Sequence, residues 1–299
     1  MRVRVLGSAA GGGVPQWNCA CDNCTIARAG DGRVAARTQD CIGIERDGRW
    51  LLVNASPDVL RQIEATPGLQ PKGSPRGTPI ASIVLTNGDL DHVLGLFSLR
   101  ESQPLVVYAT DRVFAGLVER NVLMRTLQRF AGQLTHKRLV IGEAVVVPEL
   151  GVTLEAFASP GKLPVHLASA LEPHHPEDNI GLRITSDGMT ITCATAVRDV
   201  ATVRPHLTPS DVLLLDGTFF SSDELTSKGA GSARAEDMAH HPVGGERGSL
   251  MALASLDLVK RKVLTHINNT NPILREGSDE RTWVMRMGWE IAFDGMELP

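Results

Sequence analysis

The sequence predicts an α+β fold in which two β-sheets pack face to face and helices cover their outer faces. Three observations lead to this prediction. Short apolar runs typical of strands occur in both halves of the 299-residue chain, helical segments lie between them, and no linker-like segment separates the halves. A chain of this length can bury a substantial core. We therefore expect a single domain covering residues 1–299.

The individual elements follow from local patterns along the chain. Residues 2–6 alternate as a strand does, and the runs 42–45 and 50–53 flank Asp47-Gly48, which predicts a hairpin. Asp187-Gly188 predicts a second hairpin in the same way. The remaining patterns predict strands at 83–85, 105–108, 138–141, 144–147, 152–157, 180–184, 189–193, 212–215, 262–265 and 289–293, and helices at 57–65, 111–130 and 249–258.

Composition excludes several classes of function. The net charge is −4 and no basic cluster stands out, so neither nucleic acid nor an anionic membrane surface is an expected partner. No apolar run reaches the length of a bilayer span, and the amino terminus lacks the apolar core of a signal peptide. The cysteine count of five is odd, and three of the five crowd into six residues. This usage indicates a reducing compartment, and we expect a cytoplasmic protein.

The densest group of potential metal ligands follows the apolar run 83–85. Asp89, Asp91 and His92 lie within four residues, where the strand pattern gives way to a helical one. The plain alternative is a solvated turn in which Asp91 caps the next helix. Metal binding gains support because two other side chains that can bind a metal, Asp216 and His266, also follow buried strands.

Asp216 ends the run 212–215, and His266 follows the run 262–265. His92, His266 and a carboxylate such as Asp91 would form a set of two histidines and one carboxylate. Such a set leaves coordination positions open and suits non-haem Fe(II) and dioxygen chemistry. For His266 alone, a hydrogen bond to the turn that follows it is the simpler reading.

A second constellation is the CxCxxC segment Cys19, Cys21 and Cys24. Three thiolates at this spacing can converge on one tetrahedral Zn²⁺, with a fourth ligand from a distant segment. Buried free thiols and a redox pair are the alternatives. Cys41 and Cys193 lie in apolar runs, so we expect them in the core.

Other polar features are less specific. The loop 11–13 is rich in glycine but lacks the GxGxxG spacing, so a flexible connection is favoured over phosphate binding. Of the adjacent pair His240 and His241, one side chain at most would face a site. Lys162 lies in a glycine-containing loop, where it is either solvated or available to a substrate carboxylate. His174 and His175 lie in a polar loop flanked by prolines, where we expect them to be solvated, and His136, His166 and His206 are expected at the surface or in the core.

The segment 86–92 resembles the His-x-His-x-Asp-His motif of the metallo-β-lactamase superfamily, with Asn87 and Asp89 in place of the first two histidines. Asp91 and His92 match the motif, and His266 is similar to the last metal histidine of the superfamily. The middle histidine is absent from 159–162, and Ala194-Thr195-Ala196 stands where the bridging aspartate is expected. The ligands of the first metal are therefore missing, whereas those of the second are retained.

Four further segments, and the cysteine loop, resemble one family within that superfamily, the pyrroloquinoline quinone biosynthesis proteins. They are 216–219, 244–250, 266–272 and 293–298. In phosphodiesterase relatives a similar CxCxxC zinc takes a histidine three residues after the late active-site histidine. Asn269 occupies that position here, so the fourth zinc ligand is Asn269, another side chain or water.

The resemblance implies a metallo-β-lactamase-like αββα sandwich and a role in assembling the redox cofactor pyrroloquinoline quinone. It implies an iron- and dioxygen-dependent hydroxylase that acts on the tyrosine ring of a crosslinked Glu-Tyr precursor. Candidate protein partners are other enzymes of the pathway and a second copy of this chain in a homodimer. Two rivals remain, a metal-dependent hydrolase of the same fold and a non-catalytic carrier of the cofactor or an intermediate. In the hydroxylase reading, Asp91, His92 and His266 bind the iron. Asp89 and Asp216 are further ligands or bases, and His240 transfers a proton or orients the substrate. Lys162 and Asn269 contact the acidic substrate.

Overall fold

The computed structural model describes residues 1–119, 121–164 and 174–299, and within these ranges the strands form two seven-stranded sheets. From edge to edge, the first sheet contains β14 (Glu297–Leu298), β1 (Arg2–Gly7), β2 (Cys41–Arg46), β3 (Arg49–Val53), β4 (Ile80–Val84), β5 (Leu105–Ala109) and β6 (Leu134–Arg138). The second contains β13 (Glu290–Ile291), β12 (Val259–Thr265), β11 (Ser210–Asp216), β10 (Met189–Ala194), β9 (Ile180–Ser186), β8 (Val152–Ala158) and β7 (Ala144–Val147).

Short helices connect the strands in the same ranges. They are α1 (Asp22–Ala29), α2 (Val59–Glu64), α3 (Leu90–Val93), α4 (Gly95–Ser98), α5 (Asp111–Val118), α6 (Val200–Val203), α7 (Glu224–Ser227), α8 (Ser249–Ala252) and α9 (Asp279–Arg286). None of the helices described is long and apolar enough to cross a membrane.

Side-chain alternation divides the core into three layers. In β11, Val212 and Leu214 enter the cluster between the two sheets, whereas Leu213 and Leu215 pack under the helices of the second sheet. In the same way, Leu52 of β3 packs under the helices of the first sheet. A strand buried on both faces carries a continuous apolar run, which explains why β11 was predictable. The layers confirm the predicted α+β sandwich.

Both predicted hairpins are present. β2 pairs with β3 and β9 with β10, each pair antiparallel. Their turns place Asp47 at φ 52° and Gly48 at φ 77°, and Asp187 at φ 52° and Gly188 at φ 78°. Two successive residues at positive φ match the right-handed twist of the flanking strands, and Asp-Gly adopts this conformation at little cost.

Several predicted boundaries are wrong. The expected helix over 111–130 ends at Val118, because Glu119 turns to an extended conformation, and a 3₁₀ turn follows at Val122–Leu127. The strand expected at 138–141 is β6, which ends at Arg138; the chain then leaves this sheet, and Ile141 bridges to Ala156 of the second.

Two other elements are shorter than predicted, and four helices, α1, α6, α7 and α9, were not predicted. The helix expected over 249–258 ends at Ala252, and the strand expected over 289–293 is confined to Glu290–Ile291. The helices α1 and α9 were missed because each buries few residues and so shows little apolar periodicity.

Candidate metal centre

The three predicted ligands Asp91, His92 and His266 lie together where strands of both sheets end. Asp91 and His92 belong to α3, just beyond β4, and His266 directly follows β12. His266 Nε2 lies 3.3 Å from Asp91 Oδ2, and His92 Nε2 lies 3.9 Å from the same oxygen. One ligand atom from each residue falls within 4.8 Å of the others. This separation suits three donors around a single ion.

Threonine hydroxyls set the tautomers of both histidines. Thr86 Oγ1 donates to Asn54 Oδ1 at 3.0 Å, and Thr218 Oγ1 donates to Asp216 Oδ1 at 2.6 Å. A hydroxyl has one proton, so each oxygen accepts from the histidine Nδ1 beside it, at 3.2 Å for His92 and 2.8 Å for His266. A proton therefore lies on Nδ1 of each ring, which leaves Nε2 as the nitrogen that can bind a metal, as in metal-ligating histidines.

A second observation, an unpartnered nitrogen of His92, indicates that these residues fit a metal cation. His92 Nε2 is buried and has no hydrogen-bond partner among the described residues. A buried ring nitrogen without a partner costs free energy, and a cation at this point would satisfy it. Burial lowers the pKa of His92, which keeps that ring neutral. Burial also acts to lower the pKa of His266, but Asp91 outweighs it and raises the value to about 9, so a metal has to displace a proton here.

The backbone at His266 is in the left-handed region, at φ 55°. For a non-glycine residue this conformation persists only when its surroundings enforce it, and it is common at functional sites. Thr218 supplies part of that constraint, because its hydroxyl oxygen lies 2.8 Å from His266 Nδ1 and its own carbonyl accepts from Asn268 N at 3.0 Å.

Asp216, His240 and His266 form a second group whose ligand atoms lie within 4.8 Å of one another. In this group Asp216 is bound to His240 by a hydrogen bond. Its Oδ2 accepts from His240 Nδ1 and from Val197 N, each at 2.7 Å, and its Oδ1 accepts from the Thr218 hydroxyl and backbone N–H. His240 lies against the His266 ring, with 5.4 Å between centroids. With Nδ1 donating to Asp216, Nε2 of His240 is left as a proton acceptor.

A cavity of about 440 Å³ opens beside these residues. Asp89, Lys162, His240 and Asn268 all line it, together with the triad. Ala196 lines it as well, so the positions where the superfamily places other metal ligands face the cavity without ligand side chains.

Asn87, which stands at the first histidine position of the motif, is engaged elsewhere. Its Nδ2 donates to Asn179 Oδ1 at 3.0 Å, and its Oδ1 accepts from Asp89 N at 2.9 Å. The amide therefore shapes the loop instead of reaching an ion.

The predicted zinc cysteines converge on Asn269. The side-chain nitrogen of Asn269 lies 3.1 Å from Sγ of Cys19, 3.7 Å from Cys21 and 3.3 Å from Cys24. Turning this amide by 180° would place Oδ1 at the same point, as the fourth ligand of a tetrahedral ion. Burial raises the pKa of Cys21 to about 12, so these thiols gain from a bound cation that ionises them. The residues present thus fit Zn²⁺.

Three contributors were not predicted from the sequence. Thr218 lies in the segment 216–219, but its role depends on histidines distant in the chain. Gly11 was read as part of a flexible loop, yet a Cβ there would lie 3.3 Å from Asp91 Oδ2. Asp40 is fully buried at the end of the loop before β2, with Oδ2 3.9 Å from His92 Nε2, and burial raises its pKa to about 6. No motif near Asp40 in the sequence identifies it as a residue of the site.

The other histidines lie apart from the centre. His136 stacks on Phe114 and His206 on Phe157. His241 hydrogen-bonds the Arg247 carbonyl at 2.9 Å. His174 and His175 are exposed, as expected, and His166 lies outside the described residues.

The two-sheet fold, with acidic residues and histidines where its strands end, defines the class of protein. A family model described as a β-lactamase superfamily domain matches residues 49–267. Among individual relatives, coenzyme PQQ synthesis protein B of Methylorubrum extorquens strain PA1 is 40% identical, over 100% of this chain and 99% of the relative. The same protein of Cupriavidus necator is 43% identical, over 99% of this chain and 98% of the relative. The chain belongs to the family of coenzyme PQQ synthesis protein B.

A solved structure agrees with this assignment. The crystal structure of Zn²⁺-bound PqqB from Methylobacterium extorquens superposes with a TM-score of 0.93 at 40% identity, covering 100% of both chains.

Proposed function

We propose that the chain acts in pyrroloquinoline quinone biosynthesis as a hydroxylase that uses one Fe²⁺ ion and dioxygen. The observation that carries this proposal is the triad of Asp91, His92 and His266, whose two Nε2 atoms and one carboxylate converge beside an open cavity. Three protein ligands leave positions for substrate or dioxygen, and this set is typical of non-haem Fe(II) oxygenases. Bound iron would supply the one-electron and dioxygen chemistry that protein side chains lack.

The arrangement supports one metal rather than two. Hydrolysis by a dinuclear site needs two ions close together, to hold the nucleophile and the leaving group. The Asn87 amide is used within its own loop, and Lys162 and Ala196 occupy the cavity wall. A lysine repels a second cation at that place. These contacts favour hydroxylation over the hydrolase alternative.

The chain's own groups divide the remaining tasks. His240, oriented by Asp216, presents Nε2 as a proton acceptor and suits removal of a proton from a phenol ring. Lys162 places an ammonium group at the cavity wall, where it can bind a substrate carboxylate. A crosslinked Glu-Tyr unit offers both a phenol and carboxylates, so this substrate class matches the side chains that line the cavity.

The decisive experiment is oxygen uptake by protein reconstituted anaerobically with Fe²⁺ and supplied with a crosslinked Glu-Tyr precursor and a two-electron reductant such as ascorbate, which would reduce the second oxygen atom to water. We expect uptake coupled to a mass gain of one oxygen atom in the product, and loss of both in His92→Ala. Tight precursor binding that is independent of iron, with no uptake, would instead identify a carrier. Cleavage of a phosphodiester by the metal-loaded protein would identify a hydrolase.

A further inference from the structure

Asp40 is a buried carboxylate that the function proposed above does not use. Its exposure is 0%, and it lies just before β2. Oδ2 has one long contact, 3.4 Å from Asn54 Nδ2. Oδ1 has no hydrogen-bond partner among the described residues. A carboxylate held this way has lost its hydration without gaining the hydrogen bonds that normally replace it.

A buried carboxylate of this kind calls for a nearby cation. No lysine or arginine of the described ranges lies within 4.0 Å of Asp40, and the one basic side chain that close is His92, at 3.9 Å from Nε2. His92 does not carry the balancing charge, because its Nδ1 proton faces Thr86 and its Nε2 is an unprotonated lone pair. Without metal, the cation that opposes Asp40 is the His266 ring, and a metal that displaces the His266 proton has to supply this charge instead.

Two carboxylates lie at the same distance from the ligating nitrogen of His92. His92 Nε2 lies 3.9 Å from Asp40 Oδ2 and 3.9 Å from Asp91 Oδ2. Asp91 alone leaves one positive charge of a divalent ion unbalanced. The charge of Asp216 is already opposed by hydrogen bonds from His240 and from backbone N–H groups. Asp89 lines the cavity but is partly exposed to solvent, whereas Asp40 is fully buried and has no such partners.

We propose that Asp40 is a positioning residue for the active-site metal, whose negative charge stabilises a divalent ion held by Asp91, His92 and His266. Asp40 acts at short range through its charge, and Asp91 remains the carboxylate ligand of the triad. The presence of this second carboxylate favours divalent over monovalent cations at the site. The inference rests on the metal site of the proposed function, but it does not depend on hydroxylation.

The test compares Asp40→Asn with the parent protein in Mn²⁺ binding, followed by the electron paramagnetic resonance signal of the free ion. Mn²⁺ is the probe because it prefers carboxylate and imidazole donors to thiolates, which keeps the cysteine site out of the titration. We expect Asp40→Asn to weaken Mn²⁺ binding by about 10- to 100-fold, the usual effect of losing a group that supports metal ligands. Asp211→Asn, which removes an equal charge from a carboxylate paired with Lys260, should bind Mn²⁺ as the parent does.

A structural role would show a different pattern. The amide of Asp40→Asn is isosteric and uncharged, so the metal-free variant should resist urea at least as well as the parent. Weaker Mn²⁺ binding with undiminished metal-free stability supports the proposal, and Asp40→Ser provides the same comparison if the asparagine variant does not fold. Unchanged Mn²⁺ binding in both variants, while His92→Ala abolishes it, would overturn the role of Asp40 alone. Unchanged binding in His92→Ala would overturn the metal site as well.

Discussion

Replacement of Thr218 by valine tests how the second histidine is held. The hydroxyl contacts Asp216 Oδ1 at 2.6 Å, His266 Nδ1 at 2.8 Å, the His266 carbonyl at 2.9 Å and His240 Nδ1 at 3.1 Å. Valine keeps the volume and removes all four contacts. The Nδ1–H of His266 then has no acceptor in a buried environment, which costs about 1–3 kcal/mol.

Two measurements follow from Thr218→Val. The free energy of unfolding of the metal-free protein in urea should fall by about 1–3 kcal/mol. Mn²⁺ affinity should fall by about 10- to 100-fold, because the ring of His266 is no longer fixed in its ligating tautomer.

The matched control is Thr192→Val. Its hydroxyl is fully buried in β10 and bonds the Ser210 hydroxyl at 2.6 Å, away from the metal ligands. This variant should lose about 1 kcal/mol of stability and keep its Mn²⁺ affinity. Equal Mn²⁺ affinity in Thr218→Val and in the parent would refute the tautomer argument.

Three further variants give separate tests. Lys162→Met should raise KM for an acidic precursor by about tenfold, because a hydrogen bond to a charged group contributes about 1.5 kcal/mol, while Mn²⁺ affinity stays the same. Gly11→Ala should weaken Mn²⁺ binding without large loss of stability, because its Cβ would lie 3.3 Å from Asp91 Oδ2 and displace that oxygen. Glu224→Gln should change the pH dependence of stability, because burial raises the pKa of Glu224 from 4.5 to about 7. The free energy of unfolding of the parent should therefore fall by about 3 kcal/mol relative to the variant as pH rises from below 4.5 to above 7.

Each of these has its own control. Lys260→Met removes an exposed lysine paired with Asp211 and should leave KM unchanged. Gly231→Ala adds a methyl group at ordinary contact distance, 3.6 Å from Leu225, and should leave Mn²⁺ binding unchanged. For Glu224, urea unfolding from pH 4 to 8 is the measurement, and parallel curves for parent and variant would contradict the assigned cause.

Secondary structure could be predicted from the sequence where the local pattern agrees with the environment of the segment in the folded protein. β11 is buried on both faces and reads as an unbroken apolar run, and Asp47-Gly48 can form its turn without help from the rest of the chain. The region 111–130 looked like one helix because apolar residues continue at helical spacing beyond Val118. There the tertiary structure determines the outcome, since Met124 and Leu127 reach the core from a 3₁₀ turn instead.

For the site, sequence reasoning identified the side chains that act as ligands and missed those that hold them. Asp91 and His92 stand in a recognisable motif, and His266 ends a clear strand. Asp40 and Thr218 carry no such mark, because each meets the centre only after segments far apart in the chain have come together. Asp40 precedes β2, for example, whereas His92 lies in α3 beyond β4. Local patterns do not encode such distances.

The segment 266–271 joins the two predicted metal sites, since Asn269 of the cysteine cluster is three residues from His266. Asn23 Nδ2, from α1 of the cysteine loop, donates to the carbonyls of Asn269 and Asn271 at 3.0 and 2.9 Å. The left-handed backbone of His266 costs about 1–3 kcal/mol, and these contacts help to maintain it. A zinc ion held by the thiols and Asn269 would therefore also fix the segment that carries His266. We expect oxidation of Cys19, Cys21 and Cys24 to weaken metal binding at His266, so that the redox state of the thiols is felt at the other site.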